Sequence, residues 1–411
     1  MKIDVMTKDK DTKTVVPALR FPEFRDAEGW RQKILSEILD YERPDNYIVS
    51  NANYCQQGTP VLTANKSFIL GYTEEDYGIC NNLPVVLFDD FTIDKKYVDF
   101  PFKVKSSAIK LLRTKNDDDL KFVFEMMSLI MFEAKEHKRY YISSYQNQNV
   151  YMPKPTEQIK IANCLGSLDG LISAVTDKIE ALKEYKKGLM QQLFPAESKT
   201  TPAFRFPEFQ NKGEWEEAIL GDYVEIKGRI GYRGYTTNDI VEKGEGAISL
   251  SPTNITDNGE LIFNKCTYIS WGKYNESPEI MLDRGYVVLV KTGSSYGKSA
   301  LVKQLPQKTT INPQIVILKP QKMNDVFLSL LISHNLIQKQ INKAIVGGAI
   351  PTLSQDSISK FKILIPKIEE QKKIAEYLLS VDELISTETD KLDQLKAHKK
   401  GLMQQLFPKL Q

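Results

Sequence analysis

The chain has 411 residues, too many for one compact core, so two or three domains are expected. Its composition, 41% hydrophobic and 26% charged, is that of a globular protein, and no apolar run approaches the length of a membrane span. A net charge of +2 excludes a broadly basic nucleic-acid binder, so any DNA contact must come from local patches.

The N-terminal tail, residues 1–16, carries charges of both signs and no apolar centre, unlike a signal peptide. Cys55, Cys80, Cys164 and Cys266 lie far apart without a CxxC pair, which predicts free thiols in a reducing cytoplasm. His137, His334 and His398 are too scattered to suggest a metal site.

In chain order, a first globular segment (17–155) opens with Pro17–Phe24, PALRFPEF, followed by Trp30. A helical segment, 156–195, ends in the sequence LMQQLFP. A second globular segment (196–367) opens with the near-copy PAFRFPEF at Pro202–Phe209, followed by Trp215, and a second helical segment occupies 368–411. Residues 157–195 and 370–408 align without a gap at an offset of 213, with 26 of 39 positions identical. The opening motifs align at an offset of 185, so the second copy carries 28 more residues between its fixed ends. The interiors, 31–152 and 216–365, show no convincing alignment. A duplicated frame holds two different inserts.

Heptad positions define a seam on each repeated helix: Leu165, Leu168, Ile172, Val175, Ile179 and Leu182 in copy one, and Leu378, Val381, Ile385, Leu392 and Leu395 in copy two. Glu388 is a misfit at a seam position where copy one has Val175, so it must face a basic partner or carry a burial cost. Each helix should run to a Phe-Pro stop and be roughly 55 Å long. Its balanced charge suits packing on protein better than lying on phosphate. The economical geometry is an antiparallel, pseudo-twofold pair holding two globular units apart. The predicted class is α+β, with both long helices outside the domain cores.

At this point the chain resembles the specificity subunits of Type I restriction–modification systems. The likeness rests on the repeated "EQ…IA…L…D…I" helix, the LMQQLFP ending and the variable inserts. In the second insert, Gly347 to Ser354 with Ile358, followed by Phe361 to Pro366 (FKILIP), fit the ending of such target-recognition domains. In the first, Val86 to Asp90, Tyr97 to Phe102 and Tyr151–Pro153 play comparable parts, but the GGAIPTLS-like turn is absent. That departure leaves the equivalence of the two DNA-facing loops open. The resemblance implies that each insert reads one half of a split, asymmetric double-stranded DNA target. It implies that the helices set the gap and bind two methyltransferase subunits, joined by restriction and translocase subunits. S-adenosylmethionine, ATP and Mg2+ would then be used by the partners, with no cofactor or metal in this chain.

Enzyme motifs are not found. Thr292–Ser299, TGSSYGKS, encloses three residues between Gly293 and Gly297, where a phosphate-binding loop needs four, and reads better as a turn between strands or a DNA-facing loop. Asn312-Pro313-Gln314 lacks the second proline and aromatic of a base-methyltransferase turn. Asp89, Asp90, Asp94, Lys95 and Lys96 do not have nuclease order, and Asp117–Asp119 reads as a solvated turn. The alternative to DNA recognition is a coiled-coil scaffold or adaptor.

Candidate DNA contacts follow from local charge. In the second segment, KGRIGYRGY supplies Lys227, Arg229, Tyr232, Arg233 and Tyr235, and the glycine-rich turn supplies Lys291, Ser294, Ser295, Tyr296 and Lys298. Residues 200–367 hold 20 Lys/Arg against 16 Asp/Glu, whereas 17–155 hold 18 against 20. The first segment must therefore concentrate its contacts, and its candidates are Lys103, Lys105, Arg113, Lys115, Lys138 and Arg139. Tyr140 and Tyr141 read equally as core or as base contacts.

Overall fold

A computed structural model describes residues 14–65, 67–136, 138–345 and 352–409. Most of the N-terminal tail and residues 347–351 of the GGAIPTLS turn lie outside the described residues. The chain forms two compact units: Met1–Asp177 with Asp390–Gln411, and Lys178–Thr389. The units do not break between globular segment and helix, as the sequence division does: the first long helix divides after Asp177 and the second after Thr389. Nor do the helices lie outside the domain cores as expected, because Ile161 and Leu165 are buried in the core of the first unit and Ile374 and Leu378 in that of the second.

The first unit contains β1 (Thr14–Val15), β2 (Trp30–Ile34), α1 (Leu35–Ile38), β3 (Leu39–Glu42), β4 (Thr59–Leu62), β5 (Ile69–Thr73), β6 (Val85–Asp89), β7 (Lys95–Val98), β8 (Lys103–Val104), β9 (Ile109–Thr114), α2 (Leu120–Met127) and β10 (Asn149–Met152). The long helix α3 (Pro155–Leu193) follows. Three sheets form, in the orders β1-β2-β10, β3-β9-β6-β7 and β5-β4-β8. The run VVLFD is buried at every position because β6 has cores on both faces. With side chains alternating across the strand, Val86 and Phe88 enter the cluster under α2 and α3. Val85 and Leu87 enter the other, with Phe102 and Val104.

The second unit contains β11 (Glu216–Ile219), β12 (Val224–Gly228), β13 (Ile240–Val241), β14 (Gly246–Leu250), β15 (Thr267–Ser270), α4 (Trp271–Asn275), β16 (Val287–Val290), β17 (Ser299–Leu301), β18 (Thr309–Ile311) and β19 (Ile315–Pro320). It continues through α5 (Asp325–Ser333), α6 (Asn335–Ala344), α7 (Gln355–Ser359), β20 (Lys362–Ile365) and the long helix α8 (Ile368–Leu406). Its sheets run β11-β20, β12-β19-β16-β17 and β13-β15-β14-β18.

These orders repeat those of the first unit. β12, β19, β16 and β17 stand where β3, β9, β6 and β7 stand, and β14 pairs in parallel with β18 as β4 does with β8. Val287 and Leu289 of β16 again face the core under the helices. Val288 and Val290 again face the other. The two inserts, unalignable as sequences, share the central sheet and the core of the second one, to which β13 adds an edge strand in the second unit. Helix caps match too: Asp119 accepts from the Phe122 N–H at the start of α2, at 2.7 Å. Asn324 accepts from Phe327 at the start of α5, at 2.9 Å.

Both long helices are 39 residues, roughly 58 Å at 1.5 Å per residue. They pack together, and every predicted seam residue is buried or half-buried. In the second unit Lys178 reaches Glu388 at 2.5 Å and Lys186 reaches Asp382 at 2.6 Å, so rising numbers on α3 meet falling numbers on α8. The misfit Glu388 therefore has its basic partner. In the first unit Lys399 binds Asp169 at 2.6 Å, the repeat counterpart of the Lys186 pair. Among the described residues no helix is long and apolar enough to cross a membrane. No group of three or more His, Cys, Asp or Glu among them could hold a metal ion.

Candidate nucleic-acid interface

Each unit begins with a clasp, buried in the first and largely buried in the second, that ties the opening motif to the start of a long helix. Arg20 binds Glu157 through both carboxylate oxygens, at 2.8 and 2.7 Å, and Trp30 Nε1 donates to the same carboxylate at 3.3 Å. Arg205, Glu370 and Trp215 repeat this at 2.8, 2.7 and 3.2 Å. The carboxylate holds the Arg20 guanidinium above its ordinary range, chiefly by hydrogen bonding. Next to it, Gln158 accepts the Asp119 N–H at 2.8 Å and donates to the Pro153 carbonyl at 3.0 Å. Gln371 does the same with Asn324 at 3.0 Å and Pro366 at 2.9 Å. The opening strand, recognition core and long helix are thus locked together by the same four contacts in both units. Asp118 and Asp119, expected in a solvated turn, are part of this lock: Asp118 accepts from Gln158 at 2.7 Å.

At the end of the central strand, backbone bonds again correspond. The Asp90 N–H donates to Ala108 O at 2.9 Å and Asp90 O accepts from the Tyr140 N–H at 2.8 Å. In the second unit Lys291 N–H donates to Gln314 O and Lys291 O accepts from Leu353 N–H, both at 2.8 Å. The hairpin loops close alike, Ile93 N–H on Asp89 O and Gly297 N–H on Val290 O, both at 2.9 Å. The loops between them differ: residues 90–93 in one and 291–297 in the other. Ile93 has φ 60° where its counterpart Gly297 has φ 83°, a left-handed position that a β-branched residue occupies only under strain. The return segments containing Tyr140 and Leu353 are thus equivalent in place, although only the second carries the GGAIPTLS motif.

The structure separates the candidate contacts into three groups. Lys103 is fully buried, its ammonium on Glu75 at 2.7 Å and the Tyr77 carbonyl at 2.8 Å. Arg229 is also buried, bonded to Ile311 O at 3.1 Å and Thr310 Oγ1 at 3.3 Å, and burial pushes its pKa down. Neither can reach a duplex, which corrects both expectations. In each case the cation points inward to polar acceptors from distant segments.

A second group is surface-accessible but engaged. Arg113 pairs with Glu42 at 2.6 Å, Lys115 with Asp40 at 3.3 Å and Lys138 with Glu136 at 2.7 Å. Lys227 pairs with Glu225 at 3.0 Å, Arg233 with Glu279 at 3.5 Å and Lys298 with Asp257 at 2.5 Å. Tyr235 accepts from Ser249 at 3.0 Å, and half-buried Tyr296 packs against the core; the Tyr232 side chain lies outside the described residues. Tyr140 and Tyr141 are core residues, and burial pushes the Tyr141 phenol well up.

The third group has no ion pair among the described residues: exposed Lys105 and Arg139, and half-buried Lys291. Ser294 is exposed and Ser295 half-buried on the TGSSYGKS segment, which is the β16–β17 hairpin turn and leads into a strand, not a helix. The sequence reading missed the clasp, although its residues were identical in both copies and therefore visible. It also missed Phe91, over which the Arg139 guanidinium lies, 5.7 Å from the ring centre.

Known proteins match this architecture. Residues 212–397 match the family model of the Type I restriction modification DNA specificity domain. The chain is 29% identical over 387 residues to the Type I restriction enzyme EcoR124I/EcoR124II specificity subunit of Escherichia coli, covering 87% of this chain and 88% of that one. It is 25% identical over 269 residues to the MjaVIII specificity subunit of Methanocaldococcus jannaschii, covering 64% and 62%. Among solved structures, the S subunit of a Type I system from M. genitalium shares the fold, with TM-score 0.61 at 15% identity, covering 96% and 99%. Over most of its length the chain is thus similar to the specificity subunits of Type I restriction–modification systems, and residues 212–397 match their DNA specificity domain.

Proposed function

We propose that this chain selects the DNA target of a Type I restriction–modification complex and performs no chemistry itself. Each recognition module reads one half of a bipartite, asymmetric target in double-stranded DNA. The paired long helices act as the spacer that sets the gap and as the docking surface for two methyltransferase subunits, with restriction and translocase subunits joining them. S-adenosylmethionine, ATP and Mg2+ serve those partners, and work on chromosomal DNA places the chain in the cytoplasm.

The observation that carries this reading is the duplication of frame without duplication of tips. Clasp, central-sheet strand order and junction hydrogen bonds are the same in both modules, whereas the hairpin loops, residues 90–93 and 291–297, differ in length and sequence. Selection that holds a scaffold and varies its loop ends is what two readers of different half-sites require.

The test is a map of methylated positions in the host genome with and without the gene. Loss of one bipartite motif on deletion is expected. Retention of every motif would refute the proposed role. In the purified complex, affinity for the motif should fall steeply with salt, because phosphate contacts release counterions.

A further inference from the structure

The first module is poor in available positive charge. Its residues 17–155 carry two more acidic than basic side chains, and most of its candidate cations are held by carboxylates. Arg139 is an exception. It immediately precedes Tyr140, whose N–H is bonded to Asp90 O at 2.8 Å, so the backbone fixes Arg139 beside the β6–β7 turn. Asp90 itself is buried, with Lys110 at 3.6 Å and the Tyr141 N–H at 2.8 Å on its carboxylate, and so cannot capture the arginine. The Arg139 guanidinium lies instead over the Phe91 ring at 5.7 Å, exposed and without an acidic partner among the described residues.

A guanidinium resting on an aromatic ring keeps its donors free at the edge while losing little freedom on binding. A planar fork of N–H donors matches the O6 and N7 acceptors of guanine in the major groove, and no other base edge offers that pair. The neighbouring lysine, Lys138, carries a comparable charge but is paired with Glu136 and lacks the fork. In the second module the same frame position, one residue before Leu353, holds Thr352. One junction with different residues at its tip is what different half-sites would demand.

The geometry points to Arg139, shelved on Phe91, as a base-reading residue of the first module, recognising a guanine in the first half-site. This deepens the proposed function and rests on it. Phe91 is the positioning residue that presents the fork.

The experiment places Arg139→Ala and Arg139→Lys at the chromosomal locus and maps methylated positions. It also measures salt-dependent binding of the complex, purified through a tag on this chain, to duplexes varied at each motif position. Both variants should lose discrimination at one guanine of the first half-site, by about tenfold to a hundredfold, with the second half unchanged. Arg139→Lys should keep the salt dependence of the parent. An unchanged motif would overturn the inference. So would uniform weakening across all sequences with a shallower salt dependence, which marks a phosphate contact. If the parent complex shows no sequence preference, the proposed function falls and this inference falls with it.

Discussion

The two recognition modules divide into a part that repeats and a part that does not. Arg20–Glu157–Trp30 and Arg205–Glu370–Trp215 agree within 0.1 Å in every shared hydrogen bond. One residue past the end of the central strands the side-chain likeness stops: Asp90 stands where Lys291 stands, and a loop of residues 90–93 replaces one of 291–297. The frame is held by a bidentate ion pair, so a change on one side alone leaves an uncompensated charge. The tips answer only to what they touch. The difference between the modules therefore measures which positions the fold constrains and which it leaves to recognition.

The largest effect should come from breaking a clasp. Glu157→Ala strands the buried Arg20 guanidinium and should cost the first unit about 3–5 kcal/mol, a large part of a domain's stability. Glu370→Ala should cost the second unit a similar amount. Hydrogen exchange resolved by peptide checks this, and unequal losses would break the equivalence of the two frames.

Lys103 separates frame from tip within one module. Because its ammonium is buried on Glu75 and a carbonyl, Lys103→Ala should destabilise the first unit by on the order of 2 kcal/mol. Chemical denaturation measures that loss. The methylated motif of the surviving protein should be unchanged; an altered first half-site would return Lys103 to the interface.

The modules should also differ in acid. His334 is half-buried in the second unit, stacked on Phe194 at 5.0 Å, and its Nδ1 accepts the Leu336 N–H at 3.4 Å as the cap of α6. Burial lowers its pKa below the ordinary 6.5, so the unfolded chain binds the proton first. The resulting stability is complete above about pH 6.5 and declines as pH falls, by at most about 1.4 kcal/mol per pH unit. Denaturation of the second unit between pH 7.5 and 5.5 should follow this slope, and His334→Asn, which keeps a capping acceptor, should flatten it. A slope unaffected by that change would assign the acid sensitivity elsewhere.

The smallest effect concerns the left-handed position shared by Ile93 and Gly297. Gly297→Ala should destabilise the second unit by about 1 kcal/mol, since φ is 83° and its new Cβ would meet Gln338 Oε1 at 3.0 Å. Ile93→Gly should shift the first unit by less than about 1 kcal/mol, because relief of strain offsets the added freedom of the unfolded chain. Thermal melting of each variant decides between them.

The frame was legible in the sequence because duplication wrote it twice: the seam leucines, the opening motifs and the EQ pair stand at constant offsets. The clasp's partners were visible but not its geometry, since nothing local links Arg20 to Glu157. The common central sheet of the inserts was hidden, because a strand buried on both faces, such as β6 or β16, asks only for a short run of apolar side chains, which many sequences supply. Charge was the poorest guide to the site. Lys103 and Arg229 look like phosphate ligands in sequence and are interior cations, because their acceptors, Glu75 and the Tyr77 carbonyl for one and Ile311 O and Thr310 Oγ1 for the other, come from distant segments. Arg139 drew no more notice than Lys138, because its support, Phe91, lies on another segment.

The central claim is that two modules of one design read two halves of one target independently. Replacing residues 31–152 with the equivalent insert of a related subunit, then mapping methylated positions genome-wide, tests it most directly. The expected result is a motif whose first half is that of the donor and whose second half and gap are those of the parent. A motif in which both halves change together, or in which neither changes, would contradict the account.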